Sequence, residues 1–128
     1  RRYAMSGKVV EGNKLGRTIG FPTANISLTF PEKLVPKNGV YAVLVKVAQN
    51  QYQGMMNIGY RPTISESALT LEVHIFEFEE DIYNQYITVF FVKYLRDEQK
   101  FDSVEDLKQQ LYIDKEQAIS VLRKEAVW

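Results

Sequence analysis

The amino-acid sequence predicts a mainly β (α+β) fold, in which an antiparallel sandwich or barrel is followed by helices that pack on it. Several segments in the middle of the chain are rich in Val, Ile, Phe, Tyr and Thr, the residues that fit a pleated, half-buried surface. Turn-forming residues separate these segments, and the lack of helical patterns between them favours antiparallel pairing. After Leu95 the apolar residues recur at helical spacing instead.

Four strands are predicted in this central part. The first, residues 40–47, is apolar on both faces for most of its length, because apolar residues occupy its odd and even positions alike. The other three are expected at residues 51–58, 69–78 and 86–95. Glycine, asparagine, proline and acidic residues indicate turns between them, at residues 37–39, at Asn50, at residues 59–62 and at residues 79–84.

Two helices are predicted at the C-terminal end. Ser103 is placed to cap the first, with Asp106 in the position of a capping box, and Asp114 is expected to cap the second. The apolar stripes are Val104, Leu107 and Leu111 in the first helix, and Ile119, Leu122 and Ala126 in the second. We therefore expect a single domain over residues 1–128, with the barrel at about 1–98 and the helical part at about 102–127.

Composition excludes several classes of site. The chain has 128 residues and no cysteine, so disulfides, thiolate metal sites and cysteine nucleophiles are excluded. The net charge is zero, which argues against a nucleic-acid partner, and no apolar run approaches the roughly 20 residues that span a bilayer. Residues 1–64 carry nine Lys or Arg against two acids, and such a basic half suits an anionic ligand. The alternative explanation of this asymmetry is that acidic residues simply accumulate on solvated helices at the C-terminal end.

Residues 6–25 contain an unusual glycine-rich, basic segment. Glycine lets backbone N–H groups approach a ligand closely, and such groups can cradle phosphate oxygens. Neither the P-loop nor the dinucleotide fingerprint is present, so a flexible basic loop is an equal alternative on these grounds. The residues concerned are Gly7, Lys8, Gly12, Lys14, Gly16, Arg17 and Gly20.

The segment ends in Pro22-Thr23-Ala24-Asn25. Proline pushes the preceding Phe21 toward an extended conformation, and side chains alternate in extended chain, so Thr23 and Asn25 are expected on the same side. A hydroxyl and an amide carbonyl are hard oxygen ligands that suit Mg²⁺ shared with substrate phosphates. The alternative is that both side chains only satisfy a turn.

Glu72 interrupts an otherwise apolar strand, where a buried, unpaired carboxylate would be costly. Phosphoryl transfer to an alcohol needs a group that orients the hydroxyl and accepts its proton, and carboxylates do this in protein kinases. The alternative is an exposed barrel face shared by Thr70, Glu72 and His74. His74, the only histidine, is expected to be structural.

Five blocks of the chain, in order, resemble the riboflavin kinase family. They lie at residues 7–25, 36–42, 57–63, 72–76 and 95–101. The resemblance implies a compact antiparallel, Greek-key-like β-barrel with C-terminal helices packed on it. It departs from the family's usual pattern at Asn84, which tolerates left-handed backbone, so the turn there should survive.

The resemblance also implies roles for individual residues. Glu72 would be the catalytic base, Thr23 and Asn25 would hold Mg²⁺ and the ATP phosphates, and the glycine-rich segment would close over the nucleotide. The nucleotide-binding residues would be Gly7, Lys8, Gly12, Gly16, Arg17, Gly20, Pro22, Thr23, Asn25 and Tyr41. The flavin-side residues, on a mobile flap, would be Leu95, Arg96 and Phe101.

The implied reaction is transfer of the γ-phosphate of ATP to the 5′-hydroxyl of riboflavin, giving FMN and ADP. We expect a cytoplasmic enzyme without membrane or nucleic-acid partners. In bacteria the module commonly follows an FMN adenylyltransferase domain, and the start at Arg1 fits a piece of such a protein. The alternatives are a barrel that binds single-stranded nucleic acid, and a flavin-binding regulatory module without catalysis.

Overall fold

The computed structural model describes residues 3–10, 15–28, 34–62 and 67–124. Six strands and two helices lie within these ranges. The strands are β1 Tyr3–Val10, β2 Ala24–Leu28, β3 Gly39–Val47, β4 Asn50–Pro62, β5 Ser67–Ile75 and β6 Tyr86–Arg96, and the helices are α1 Leu15–Thr18 and α2 Val104–Lys124.

The strands form one closed barrel in the order β1-β2-β5-β4-β3-β6, and every neighbouring pair is antiparallel. This confirms the mainly β barrel with a helical C-terminal part. The four predicted strands appear as β3 to β6, and the barrel is completed by β1 and β2, which the sequence did not predict. Ser6, Gly7 and Lys8 interrupt the apolar pattern of β1, and β2 is only five residues long, which concealed both strands.

Gly7 shows why β1 was missed. Its backbone lies so close to β2 that an added Cβ would overlap the Ile26 side chain and the Ser27 carbonyl. The alternating residues Met5 and Val9 point into the barrel. Gly7 and Lys8 are therefore strand residues in the structure, and not part of a loop.

Two apolar layers lie on opposite faces of the barrel wall. One fills the interior, and the other lies between the outer face of the barrel and α2, where Ala42, Leu44 and Met55 pack with Ala118 and Leu122. Because β3 lies between the two layers, both of its faces are buried, as its sequence predicted.

The C-terminal part is one helix, so the prediction of two helices was wrong. Ser103 does cap it, since the Asp106 backbone N–H donates to Ser103 Oγ at 3.1 Å. Asp114 does not begin a second helix; it lies within α2, fully buried, and pairs with Arg96 on β6. Ala126, predicted on the second stripe, is outside the described residues.

Two further expectations concern backbone geometry and hydropathy. Asn84 has a φ of 70°, so the left-handed turn predicted there is confirmed.

Within the described ranges, the structure contains no helix whose length and hydropathy would let it cross a bilayer.

Candidate active site

Three polar side chains meet on the outer face of the barrel at Glu72. Because β5 lies between β2 and β4, the strand registers place Asn25 and Asn57 directly opposite Glu72 on either side. Residues directly opposite in antiparallel strands point to the same face. The neighbours of Glu72 in its own strand, Leu71 and Val73, point into the core, which fixes Glu72 outward.

Thr23 joins this group from the segment before β2. Its hydroxyl donates a hydrogen bond to Glu72 Oε1 at 3.2 Å. The structure therefore brings Thr23 and Asn25 together with Glu72, although Glu72 lies 49 residues after Thr23. The face they share is not an exposed one, because Glu72 is half-buried and His74 is buried.

The backbone before Thr23 is held from both sides. Gly20, with a φ of +90°, makes the turn that leads into the segment. The ring of Phe21 packs edge-on against His74 and Tyr112, at centroid distances of 5.3 and 5.0 Å. His74 Nδ1 lies 2.7 Å from the Pro22 carbonyl oxygen, which can only accept, so Nδ1 carries the proton and donates.

The surroundings of the His74 imidazole disfavour its charged form. Burial lowers the pKa of its imidazole, the hydrogen bond to Pro22 opposes that shift, and the charge of Lys115 adds to it. Through its Nδ1–H, the ring fixes the position of the Pro22 carbonyl. This supports the expectation that His74 is structural.

One cavity, of about 250 Å³ and partly open to solvent, lies between the barrel and α2; because α2 covers one side of it, we refer to it as the enclosed cavity. Thr23, Asn57 and Glu72 line it on the barrel side. The other walls are formed by Leu107 and Leu111 of α2, by Arg96 at the end of β6, and by Glu98 and Phe101 after it; the lining as a whole is mainly apolar. An apolar cleft with a few convergent polar groups is typical of a small-molecule site.

A second cavity, of about 750 Å³, lies beside the short pairing of β2 with β5, and we call it the open cavity. Arg17, Pro22 and Asn25 line it together with the acidic segment 79–81. Among the residues that the structure describes, Thr23 alone lines both cavities. Thr23 and the Glu72 carboxylate therefore mark the junction between the two sites.

The junction offers donors suited to magnesium. The Thr23 hydroxyl, the Asn25 amide oxygen and the neighbouring Glu72 carboxylate are all hard oxygen ligands, and they fit a Mg²⁺ ion that also takes phosphate oxygens. Across the described ranges, no group of three or more His, Asp or Glu side chains is arranged to hold a metal by itself. A protein-only metal cage is thus absent there.

The remaining residues expected to bind the nucleotide are scattered. Gly20 precedes the junction segment, whereas Gly16 lies in α1 and Gly12 is outside the described residues. The structure does not bring Tyr41 to either cavity. It lies inside the barrel, where its hydroxyl donates to the Lys37 carbonyl at 2.7 Å.

Of the three residues expected at the flavin side, two line a cavity and one does not. Arg96 and Phe101 line the enclosed cavity, but Leu95 packs in the layer beneath α2. Sequence reasoning missed Asn57 as a site residue. The available signal was weaker than the one at Glu72, because Asn57 interrupts only the short apolar run of residues 55–58.

A family model and the curated relatives point to the same family. A family model described as Flavokinase, riboflavin kinase, matches residues 1–122. The bifunctional riboflavin kinase/FMN adenylyltransferase of Haemophilus influenzae is 48% identical over 117 residues, which make up 91% of this chain and 37% of that protein. The chain thus spans well under half the length of the curated relatives it matches.

Two solved structures share the fold. One, described as a macrolide-efflux protein from Streptococcus pneumoniae, has a TM-score of 0.82 and 39% identity over 90% of this chain and 38% of that chain. The other, a riboflavin kinase from Trypanosoma brucei, has a TM-score of 0.67 and 22% identity over 97% of this chain and 82% of that chain.

Proposed function

Because the chain belongs to the riboflavin kinase family, we propose that it transfers the γ-phosphate of ATP to the 5′-hydroxyl of riboflavin where its two cavities meet. The observation that carries this proposal is the position of Thr23. It lines both cavities and donates to Glu72, so groups bound in the two cavities would approach each other at this carboxylate.

We assign riboflavin to the enclosed cavity. Its mainly apolar walls suit a flat, poorly hydrated ring system, and its polar end at Glu72 and Asn57 suits a hydroxylated chain. Glu72 would accept a hydrogen bond from the terminal hydroxyl, orient it and remove its proton as the phosphorus–oxygen bond forms. The cover provided by α2 and by residues 98–101 would exclude water from this end.

ATP is assigned to the open cavity. The Arg17 guanidinium lies at its wall and would balance phosphate charge, while Thr23 and Asn25 would present oxygens to a phosphate-bound Mg²⁺. When bound, Mg²⁺ would reduce the charge that repels an attacking oxygen. His74 contributes by fixing the Pro22 carbonyl, and with it the backbone that carries Thr23.

The wider context is also part of the proposal. We propose that residues 1–128 form a single riboflavin kinase domain, with its β-barrel within about 1–98 and its helical part within about 102–127. We further propose that it is covalently joined to an FMN adenylyltransferase domain, as the description of its relatives implies, and that it acts in the cytoplasm.

The test is chromatographic analysis of riboflavin incubated with the purified chain and ATP, with and without Mg²⁺. We expect magnesium-dependent FMN and no FAD, because the residues assigned to the site serve one phosphoryl transfer. Riboflavin binding without FMN would favour the regulatory module over the kinase. FAD formation by this chain alone would contradict the assignment of adenylylation to a separate domain.

A further inference from the structure

Arg96, at the end of β6, is tied to the middle of α2 by a buried ion pair. Its Nε donates to Asp114 Oδ1 at 2.8 Å and its Nη2 donates to Asp114 Oδ2 at 2.7 Å, a bidentate arrangement. The Gln110 amide also donates to Asp114 Oδ1, at 2.9 Å. The Asp114 side chain has no exposed surface, and nothing in the proposed reaction uses it.

The same guanidinium also holds the segment that follows β6. Its Nη1 donates to the Asp97 carbonyl oxygen at 3.0 Å, and the guanidinium carbon, Cζ, lies 5.9 Å from the centre of the Phe101 ring. Both Arg96 and Phe101 line the enclosed cavity. The chain of contacts that begins at Asp114 therefore ends at a wall of the proposed flavin site.

A second contact holds this segment from the barrel side. The Glu98 carboxylate lies directly on the backbone of Gly59 in β4, where an added Cβ would overlap it. In addition, the Tyr94 hydroxyl donates to the Asp97 carboxylate. Residues 97–101 therefore contact Arg96 and Tyr94 of β6 on one side and Gly59 of β4 on the other, with Glu98 and Phe101 at the cavity wall.

We propose that Asp114 is a positioning residue for riboflavin binding, which acts by holding Arg96 and, through it, residues 97–101 over the enclosed cavity. This inference rests on the proposed function, because it assigns that cavity to riboflavin. The Arg96 side chain is 17% exposed, and without the Asp114 carboxylate its largely buried charge would lose its partner and shift toward water or another partner. The wall that it supports would move with it.

The first experiment replaces Asp114 with Asn in the same 128-residue chain. Asn keeps the size of the side chain but removes its charge and one acceptor oxygen. We expect the Kd for riboflavin, measured by quenching of flavin fluorescence, and the riboflavin KM to rise about tenfold, the effect of roughly one buried, charge-assisted hydrogen bond. The KM for ATP should change by less than about twofold.

The matched control is Glu116→Gln, which removes an exposed carboxylate from the same helix. It should leave both KM values unchanged. If Asp114→Asn lowers the melting temperature but leaves riboflavin affinity at the level of the control, the ion pair only attaches the helix and the proposal is overturned.

A second variant reaches the same segment without touching the ion pair. In Gly59→Ala, the new methyl group would displace the end of the exposed Glu98 side chain, which can move at little cost to folding. We expect the same selective loss of riboflavin affinity. If Asp114→Asn does not fold, the riboflavin affinity of Gly59→Ala becomes the test. An affinity equal to that of the unmodified chain would then overturn the proposal.

The unmodified chain separates this inference from the proposed function. If the unmodified chain binds riboflavin and makes FMN while both variants behave like it, the role of Asp114 fails alone. If the unmodified chain neither binds riboflavin nor makes FMN, the assignment of the cavity fails and the inference fails with it.

Discussion

The two cavities that meet at Thr23 are built in different ways. The enclosed cavity lies between long elements, β4, β5 and α2, and its remaining wall is attached through the buried Arg96–Asp114 pair. The open cavity is lined largely by short connecting segments, including residues 79–83, which are exposed apart from Ile82. Substitutions around the enclosed cavity should therefore act through fixed geometry, and those around the open cavity through individual ligand contacts.

The largest effect is expected at the carboxylate between the cavities. Glu72→Gln keeps the size of the side chain and an oxygen that can accept from Thr23, but the amide cannot take a proton from the attacking hydroxyl. Turnover should fall about 10³-fold, within the range that general-base catalysis contributes. The KM values for both substrates should stay close to those of the unmodified chain.

The control for this variant is again Glu116→Gln, which removes a carboxylate remote from both cavities. If Glu72→Gln keeps the turnover of that control, another group accepts the proton and the junction loses its assigned base. If instead only riboflavin affinity falls, Glu72 belongs to the enclosed cavity alone and the two cavities do not share a reacting centre.

Thr23→Val should have the next largest effect, because Thr23 alone among the described residues lines both cavities. The substitution keeps the shape and removes the hydroxyl. We expect kcat/KM for ATP to fall roughly 10- to 100-fold, the range for hydrogen bonds to charged groups, with a smaller change for riboflavin. Steady-state kinetics with each substrate varied in turn would measure both.

Thr88→Val provides the comparison for Thr23→Val. Thr88 lies on β6, where its hydroxyl pairs with that of Ser6 at 2.8 Å, away from both cavities. This variant should retain normal kinetics. Equal losses in the two variants would mean that Thr23 acts through barrel stability and not through the nucleotide.

A strand could be predicted from the sequence where its own residues identify it, and could not where a distant segment explains its residues. The strand at β3 is identifiable alone, because burial on both sides requires apolar residues on both faces. By contrast, Gly7 is in β1 only because β2 approaches closely, which is a fact about a distant segment. Asp114 misled the helix prediction for the same reason, since an Asp with a partner on β6 resembles a helix cap in isolation.

The site shows the same division. Thr23 and Asn25 could be placed on one side from local extended geometry, and Glu72 stood out within an apolar strand. Their meeting depends on the register of β2 against β5, which local pattern does not specify. Asn57 needed the β4–β5 register as well. The pairing of strands that are distant in sequence therefore determines the part of the site that could not be predicted from the sequence alone.

The asparagines on either side of Glu72 sharpen the comparison of the cavities. Asn25 lines the open cavity and Asn57 the enclosed one. We expect Asn25→Ala to raise the KM for ATP about tenfold, and Asn57→Ala to raise the KM for riboflavin by a similar factor, with little crossover. The two variants serve as controls for each other, and crossed effects would mean that the substrates are assigned to the wrong cavities.

The smallest effect is expected at His74, which lines the enclosed cavity but binds the Pro22 carbonyl at the open one. Burial holds its pKa below the ordinary value of 6.5. As the pH falls through that value, the unfolded chain takes up a proton that the folded chain resists, so stability should be lost. The slope should stay below about 1.4 kcal/mol per pH unit, the limit for one proton.

Urea unfolding of the unmodified chain and of His74→Gln, at about pH 7.5 and about pH 5.5, would measure this contribution. Gln can still donate to the Pro22 carbonyl but does not titrate. The free energy of unfolding should therefore fall less on acidification in the variant than in the unmodified chain. If both lose the same amount, His74 does not couple folding to pH, and the predicted contribution of its lowered pKa is wrong.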